Sequence, residues 1–219
     1  MFPSQLYNGV GQLTYTLSKG DNWWMDAIAA YQAIHVASYE ASKINLANPG
    51  TYDLTEGVAP SWSSDSGWFR TATNQYLKTG VVVTNSSWSI FVRYANIIPI
   101  ATKVYMAIGT YSVMIMPLYT VTQGYVRHGK FIESPVSSKT SGVSGLSGRK
   151  YYHNGELIRS LPESGGTYDP EDLYLFDQNY LNAPYGLNGV LWNISAVAIF
   201  NRTLSAGEVA TLSAAMAAL

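Results

Sequence analysis

The end of the chain restricts the fold more than any other part. From Leu187 to Phe200 runs a long β-rich stretch that closes on Asn193-Ile194-Ser195-Ala196-Val197-Ala198-Ile199-Phe200. A turn at Asn201-Arg202-Thr203-Leu204 follows, and Ser205 then opens a helix. The Ser205 hydroxyl is placed to accept from the amide of Glu208, while the Glu208 carboxylate reaches back to the amide of Ser205. Beyond this capping box, Val209, Leu212, Met216 and Leu219 fall on one helical face. A fold containing this segment must pass directly from a strand into a short amphipathic C-terminal helix.

Upstream the pattern is one of short strands and turns. Gly67-Trp68-Phe69, Gln75-Tyr76-Leu77 and Leu173-Tyr174-Leu175-Phe176 are β-like pieces, and Ser87 to Tyr94 alternates with period two. Lys103–Gly109 and Tyr111–Tyr119 read as strands around a turn at Gly109-Thr110. Asn154-Gly155, flanked by Arg149–His153 and Glu156–Ile158, is a strong hairpin signal. Ser137–Gly148 is rich in Ser and Gly and reads as a loop or a weak strand pair. Near the N-terminus, Trp24, Ile28, Tyr31, Ile34, Ala41 and Ile44 follow helical spacing, which predicts a helix from about Trp23 to Lys43, stopped at Asn48-Pro49-Gly50. Many short strands with few helices imply an all-β antiparallel sandwich. The expected organisation is an N-terminal helical extension over residues 1–60 and a sandwich over 61–219.

Composition narrows the function. Only 12% of the 219 residues are charged, against roughly 25% in an average domain. With 17 Tyr and 6 Trp, the surface is polar through phenols, hydroxyls and amides, which suits faces that bind sugars or subunits. A net charge of -1 with scattered basic residues argues against nucleic acid as a partner. There is no cysteine for disulfides or metal ligation. The start, Met1-Phe2-Pro3-Ser4-Gln5, lacks a secretion signal, and no apolar stretch is long enough to insert in a membrane, so a soluble protein is expected. The sequons at Asn85, Asn193 and Asn201 are then coincidental.

Three landmarks stand in order: Tyr152-His153-Asn154-Gly155, Leu173–Phe176, and the closing Leu187–Val209 with its Ala-Ile-Phe-Asn-Arg-Thr-Leu-Ser-x-x-Glu-Val. Over residues 60–219 the chain resembles the laminin-G-like, concanavalin A-like lectin/glucanase superfamily. That resemblance implies a jelly-roll β-sandwich. The stretch Ala30-Tyr31-Gln32-Ala33, followed by Ser42 to Tyr52, is similar to segments preceding such sandwiches in bacteriophage virion proteins. The expectation is a non-catalytic virion structural protein of capsid-decoration, head-fibre or tail-fibre type, assembled in the bacterial cytoplasm. Its partners would be other virion proteins, sister subunits in a homo-oligomer, and cell-surface glycans. A freestanding carbohydrate-binding module is the alternative. A glycoside hydrolase is disfavoured, because the Glu-x-Asp-x-Glu strand pattern of the superfamily's retaining enzymes is absent.

Sugar binding asks for exposed rings beside fixed hydrogen-bonding groups. Tyr180, Asn182 and Tyr185 share one loop that meets this demand, and Trp62 with Asp65 forms a second candidate; alternation assigns Trp68 and Trp192 to the core. No cofactor is required. Calcium is the candidate ion, with Asp177, Asn179 and Asn188 as oxygen donors near strand ends. Asp169-Pro170-Glu171-Asp172 reads as a solvated loop, and neither Ser144 nor Ser147 sits in a nucleophile motif. His35, His128 and His153 are too dispersed for a metal cluster. Glu208→Ala is expected to cost ~0.5–2 kcal/mol of stability through the lost cap, read as a lower urea midpoint, with ligand binding by the loops unchanged.

Overall fold

The run Asn193–Phe200 is buried along its whole length except at Asn193, so it is a strand covered on both faces rather than an amphipathic one. The computed structural model describes residues 6–7, 13–14, 22–98, 105, 107–129, 134–163, 167–186 and 192–219. In chain order the strands are β1 Leu6–Tyr7, β2 Leu13–Thr14, β3 Ala29–Gln32, β4 Thr55–Val58, β5 Ser61–Ser63, β6 Gly67–Phe69, β7 Tyr76–Val82, β8 Ser89–Ala95, β9 Ile108–Thr110 and β10 Val113–Met116. They continue as β11 Gln123–His128, β12 Ser134–Ser137, β13 Gly142–Ser147, β14 Lys150–His153, β15 Glu156–Ser160, β16 Asp172–Leu175, β17 Gln178–Tyr180, β18 Ala183–Pro184 and β19 Asn193–Phe200. The helices are α1 Tyr39–Ser42 and α2 Ala206–Ala217.

Two sheets face each other, as expected of an antiparallel sandwich. One runs β12-β11-β10-β9-β16-β7-β4, with the β17–β18 hairpin joined to it through a parallel pairing of β17 with β9. The other runs β15-β14-β13-β8-β19-β6-β5, with β3 also paired to β19. Between the sheets lies a core holding Trp68, Trp192, Tyr31, Tyr94, Tyr105, Tyr151 and Phe176. On the outer face of the second sheet, Val209, Leu212 and Met216 of α2 pack against Phe91, Val143, Tyr152, Ala196, Ala198 and Phe200. Both halves of the capping box are formed, with Ser205 accepting from the Glu208 amide and Glu208 from the Ser205 amide. Among the described residues no helix is long and apolar enough to cross a membrane.

The N-terminal helix expected over Trp23–Lys43 is not formed; only Tyr39–Ser42 is helical. Ala29–Gln32 instead pairs with Ala196–Ile199, filling the edge of β19 left open beyond the short pairing with β6. Ala29, Ala30 and Tyr31 are all buried, so the apolar spacing served both faces of a covered strand and mimicked a helical stripe. Asn45 holds this strand in place: its Oδ1 accepts from the amides of Ala30 and Ala47, and its Nδ2 donates to the carbonyls of Ile28 and Thr51.

The Ser/Gly stretch is likewise a central strand. β13 pairs with β8 and β14, and a side chain at Gly145 would collide with the Phe91 ring. The Ser147 hydroxyl donates to the Leu204 carbonyl and accepts from its amide, and Ser89 joins it, so two serines clamp the turn that leads into α2. Asn154 and Gly155 take left-handed φ values of 49° and 83° in the β14–β15 turn, as the hairpin signal requires.

Two histidines are held neutral by burial. His128, 2% exposed, accepts at Nδ1 from the Tyr168 hydroxyl, which puts its proton on Nε2 facing the Trp88 carbonyl. Desolvation pushes its pKa from 6.5 down to about 4. The half-buried His153, 3.0 Å from the Ser144 hydroxyl, is lowered to about 4 as well, first by desolvation and then by Lys139. In each case the unfolded chain takes up the proton first. Stability is therefore full above pH 6.5 and declines as pH falls from 6.5 toward 4, with His128 contributing ~3 kcal/mol of the loss. Urea midpoints measured across that window are expected to fall, and His128→Gln should flatten the profile.

Candidate functional site

Two hairpins bring a set of tyrosines together at one end of the first sheet. Tyr111 lies in the β9–β10 turn, and Tyr180 and Tyr185 belong to the β17–β18 hairpin. The Tyr111 and Tyr180 ring centroids are 5.2 Å apart, and those of Tyr180 and Tyr185 are 6.0 Å apart with the planes nearly perpendicular. Arg127 backs the cluster from a 7% exposed position, its guanidinium 5.2 Å from the Tyr111 ring and donating to the Tyr111 carbonyl at 2.6 Å. Outward, Tyr180 is 40% exposed, Tyr185 61% and Leu181 70%.

The acidic run Asp169-Pro170-Glu171-Asp172 supplies the supports, so the expectation of a solvated loop is corrected. Asp169 accepts from the Ser112 hydroxyl at 2.5 Å and donates its amide back to that oxygen, fastening the loop to the Tyr111 turn. Glu171, only 5% exposed, accepts from the Leu181 amide at 3.1 Å and holds the tip of the second hairpin. Asp172 accepts from the Gly80 amide and from the Asn179 side chain. Each of these partly or fully buried carboxylates gains amide or hydroxyl donors that offset the loss of water.

The hairpin tip is strained. Leu181 and Asn182 have φ of 54° and 61°, the left-handed pair of a two-residue turn that Asn-Gly would satisfy at lower cost. Nothing in the packing of the fold calls for an exposed leucine there. Strain of this kind persists where the surrounding structure fixes it, and it clusters at sites that present a side chain to something else.

Of the residues singled out from sequence, Tyr180, Asn182 and Tyr185 are brought together. Trp62 and Asp65 lie on the other sheet: Trp62 packs against the inner core with its indole donating to the Ala33 carbonyl at 2.7 Å, and Asp65 sits at the rim of a separate cleft. Asp177 and Asn179 are fully buried, Asp177 beside the buried Arg70 whose charge it stabilises, and Asn188 lies outside the described residues. Among the described residues no group of three or more His, Asp or Glu gathers in a way that could hold a metal ion. Tyr111 and Arg127 were invisible to sequence reasoning because they come from strands remote in the chain; only the exposed-aromatic composition hinted at such partners. Ser144 and His153 stand at the spacing of a nucleophile and its base, but Ser144 is fully buried and shares its hydroxyl with Tyr94 and Tyr151, so the group is a structural network.

No protein-family model matches the chain, and no curated protein does. Solved structures do. The Trypanosoma rangeli sialidase in complex with 2,3-difluorosialic acid, a covalent intermediate, is similar with a TM-score of 0.58 at 13% identity, over 85% of this chain and 32% of the sialidase. The receptor-binding domain of botulinum neurotoxin type G is similar with a TM-score of 0.51 at 15% identity, over 84% of this chain and 50% of that domain. The chain thus spans about a third of the sialidase and half of the neurotoxin domain. The likeness is one of fold alone, and it agrees with the antiparallel β-sandwich architecture of the chain.

Leu181→Gly should relieve the left-handed strain and raise stability by ~1 kcal/mol in urea titration, since the side chain contributes little burial there.

Proposed function

We propose that this chain is a non-catalytic adhesion module that binds glycans through the surface formed by Tyr111, Tyr180, Asn182 and Tyr185. The observation that carries this reading is the exposed pair Tyr180 and Tyr185, set perpendicular on a turn pinned from below by the buried Glu171. A sugar ring offers an apolar face to one aromatic ring and hydroxyls to phenols and the Asn182 amide. Rigid tyrosines lose little entropy on forming such contacts. The carboxylates beneath the surface accept hydrogen bonds from Ser112, Gly80, Asn179 and Leu181 and so serve as supports, not as an acid and nucleophile flanking a scissile bond. One of the fold neighbours is a receptor-binding domain, which agrees with a binding role for the sandwich.

Such a shallow surface binds weakly as a single copy, and arraying copies multiplies the strength by roughly 10²–10⁴. The setting that suits it is an outward-facing virion component surrounded by sister subunits. The test is a glycan array probed with the protein displayed on beads. Wild type should select particular glycans, and Tyr185→Ala should bind them at least about tenfold more weakly, the ~1.4 kcal/mol of one lost stacking ring, with an unchanged melting temperature. Equal binding by Tyr185→Ala, or cleavage of any bound glycan, would sink the reading.

A further inference from the structure

The outer face of the second sheet carries a different site. Beside α2, where the ends of β8, β13 and β19 meet, lies a cleft of about 690 Å³. Arg93 of β8 projects from the same face as Phe91, and lines this cleft half-buried. Its Nη1 donates to the Ser195 hydroxyl at 3.0 Å, and among the described residues no carboxylate lies within ion-pair distance of it. Burial depresses the guanidinium's pKa. A cation held partly out of water without a counter-charge is costly, and a fold that needed only packing here would place an apolar side chain instead.

A further feature points into the same cleft. β19 slips register between Ile194 and Ala196 where it pairs with β8, leaving Ser195 as the extra residue, and that bulge sets its hydroxyl against Arg93. Toward solvent, the exposed Asp65 and Glu156 complete the lining.

We infer that the cleft binds an acidic saccharide unit, with Arg93 as the anchor for its carboxylate. The planar carboxylate meets the guanidinium fork in two parallel N–H···O bonds. Sugar hydroxyls then donate outward to Asp65 and Glu156. The site is separate from the tyrosine surface and stands or falls independently of it.

The test is calorimetry with D-glucuronate against D-glucose, which differ at the carboxylate. Wild type should bind glucuronate with a Kd of about 1 mM or tighter and glucose at least about tenfold more weakly. Arg93→Met should lose glucuronate binding yet melt, without ligand, at the wild-type temperature or above, because an uncompensated charge has been removed. Tyr185→Ala should bind glucuronate as wild type does. The inference is overturned if glucuronate fails to bind in this range, if glucose binds equally, or if Arg93→Met unfolds or melts below wild type, since Arg93 would then be a structural residue.

Discussion

Strand β19 has to be covered on both faces and paired along both edges, and the rest of the structure is arranged around meeting that demand. Its inner side chains, Ile194, Val197 and Ile199, enter the core between the sheets, and its outer ones, Ala196, Ala198 and Phe200, lie under α2. β8 takes one edge; the other is divided between β6 and β3. Each fully buried aliphatic or aromatic side chain is worth ~1.5–3 kcal/mol, so a strand covered on one face only would forfeit much of the stability of the domain. Ser89 and Ser147 grip the Leu204 backbone at the exit, which fixes where α2 starts and hence which face it covers.

On the first sheet the organising force is polar. Three carboxylates from one short acidic segment reach two turns and strand β7, and they tie two unrelated hairpins into a single surface. The rings that result are exposed, but the turn that carries them is tied to a buried acid, so their spacing does not depend on the loop's own stiffness. A site mounted this way keeps its geometry while leaving its apolar rings in water, and it accepts backbone strain at Leu181 as part of the arrangement.

Local signals were legible where neighbours in sequence decide the outcome. The Ser205–Glu208 box, the Asn154-Gly155 turn, and the burial of Trp68 and Trp192 could all be read from the chain and are present in the fold. The signals misled where a distant partner decides. Ala29–Gln32 carries a helical-looking stripe, but the open edge of β19 recruits it as a strand. Gly142–Ser147 is rich in turn formers, yet a glycine is what the Phe91 ring leaves room for, and the serines have carbonyls, amides and phenols to bond. Glu171 belongs to a run that looks solvent-loving, and it is buried because an amide ten residues away needs an acceptor.

The candidate site divides in the same way. The chain by itself determined the closing strand, the capped helix, the sandwich class and the aromatic loop that holds Tyr180, Asn182 and Tyr185, because capping, turn chemistry and hydrophobic periodicity act over a few residues. Only the tertiary structure decided that Tyr111 and Arg127 join that loop, that Trp62 turns inward, and that Arg93 faces a cleft with no described carboxylate at ion-pair distance. The reason is physical. Which polar group is buried, and what it meets there, depends on sheet order and register, and these are set by the competition of all the strands for one core.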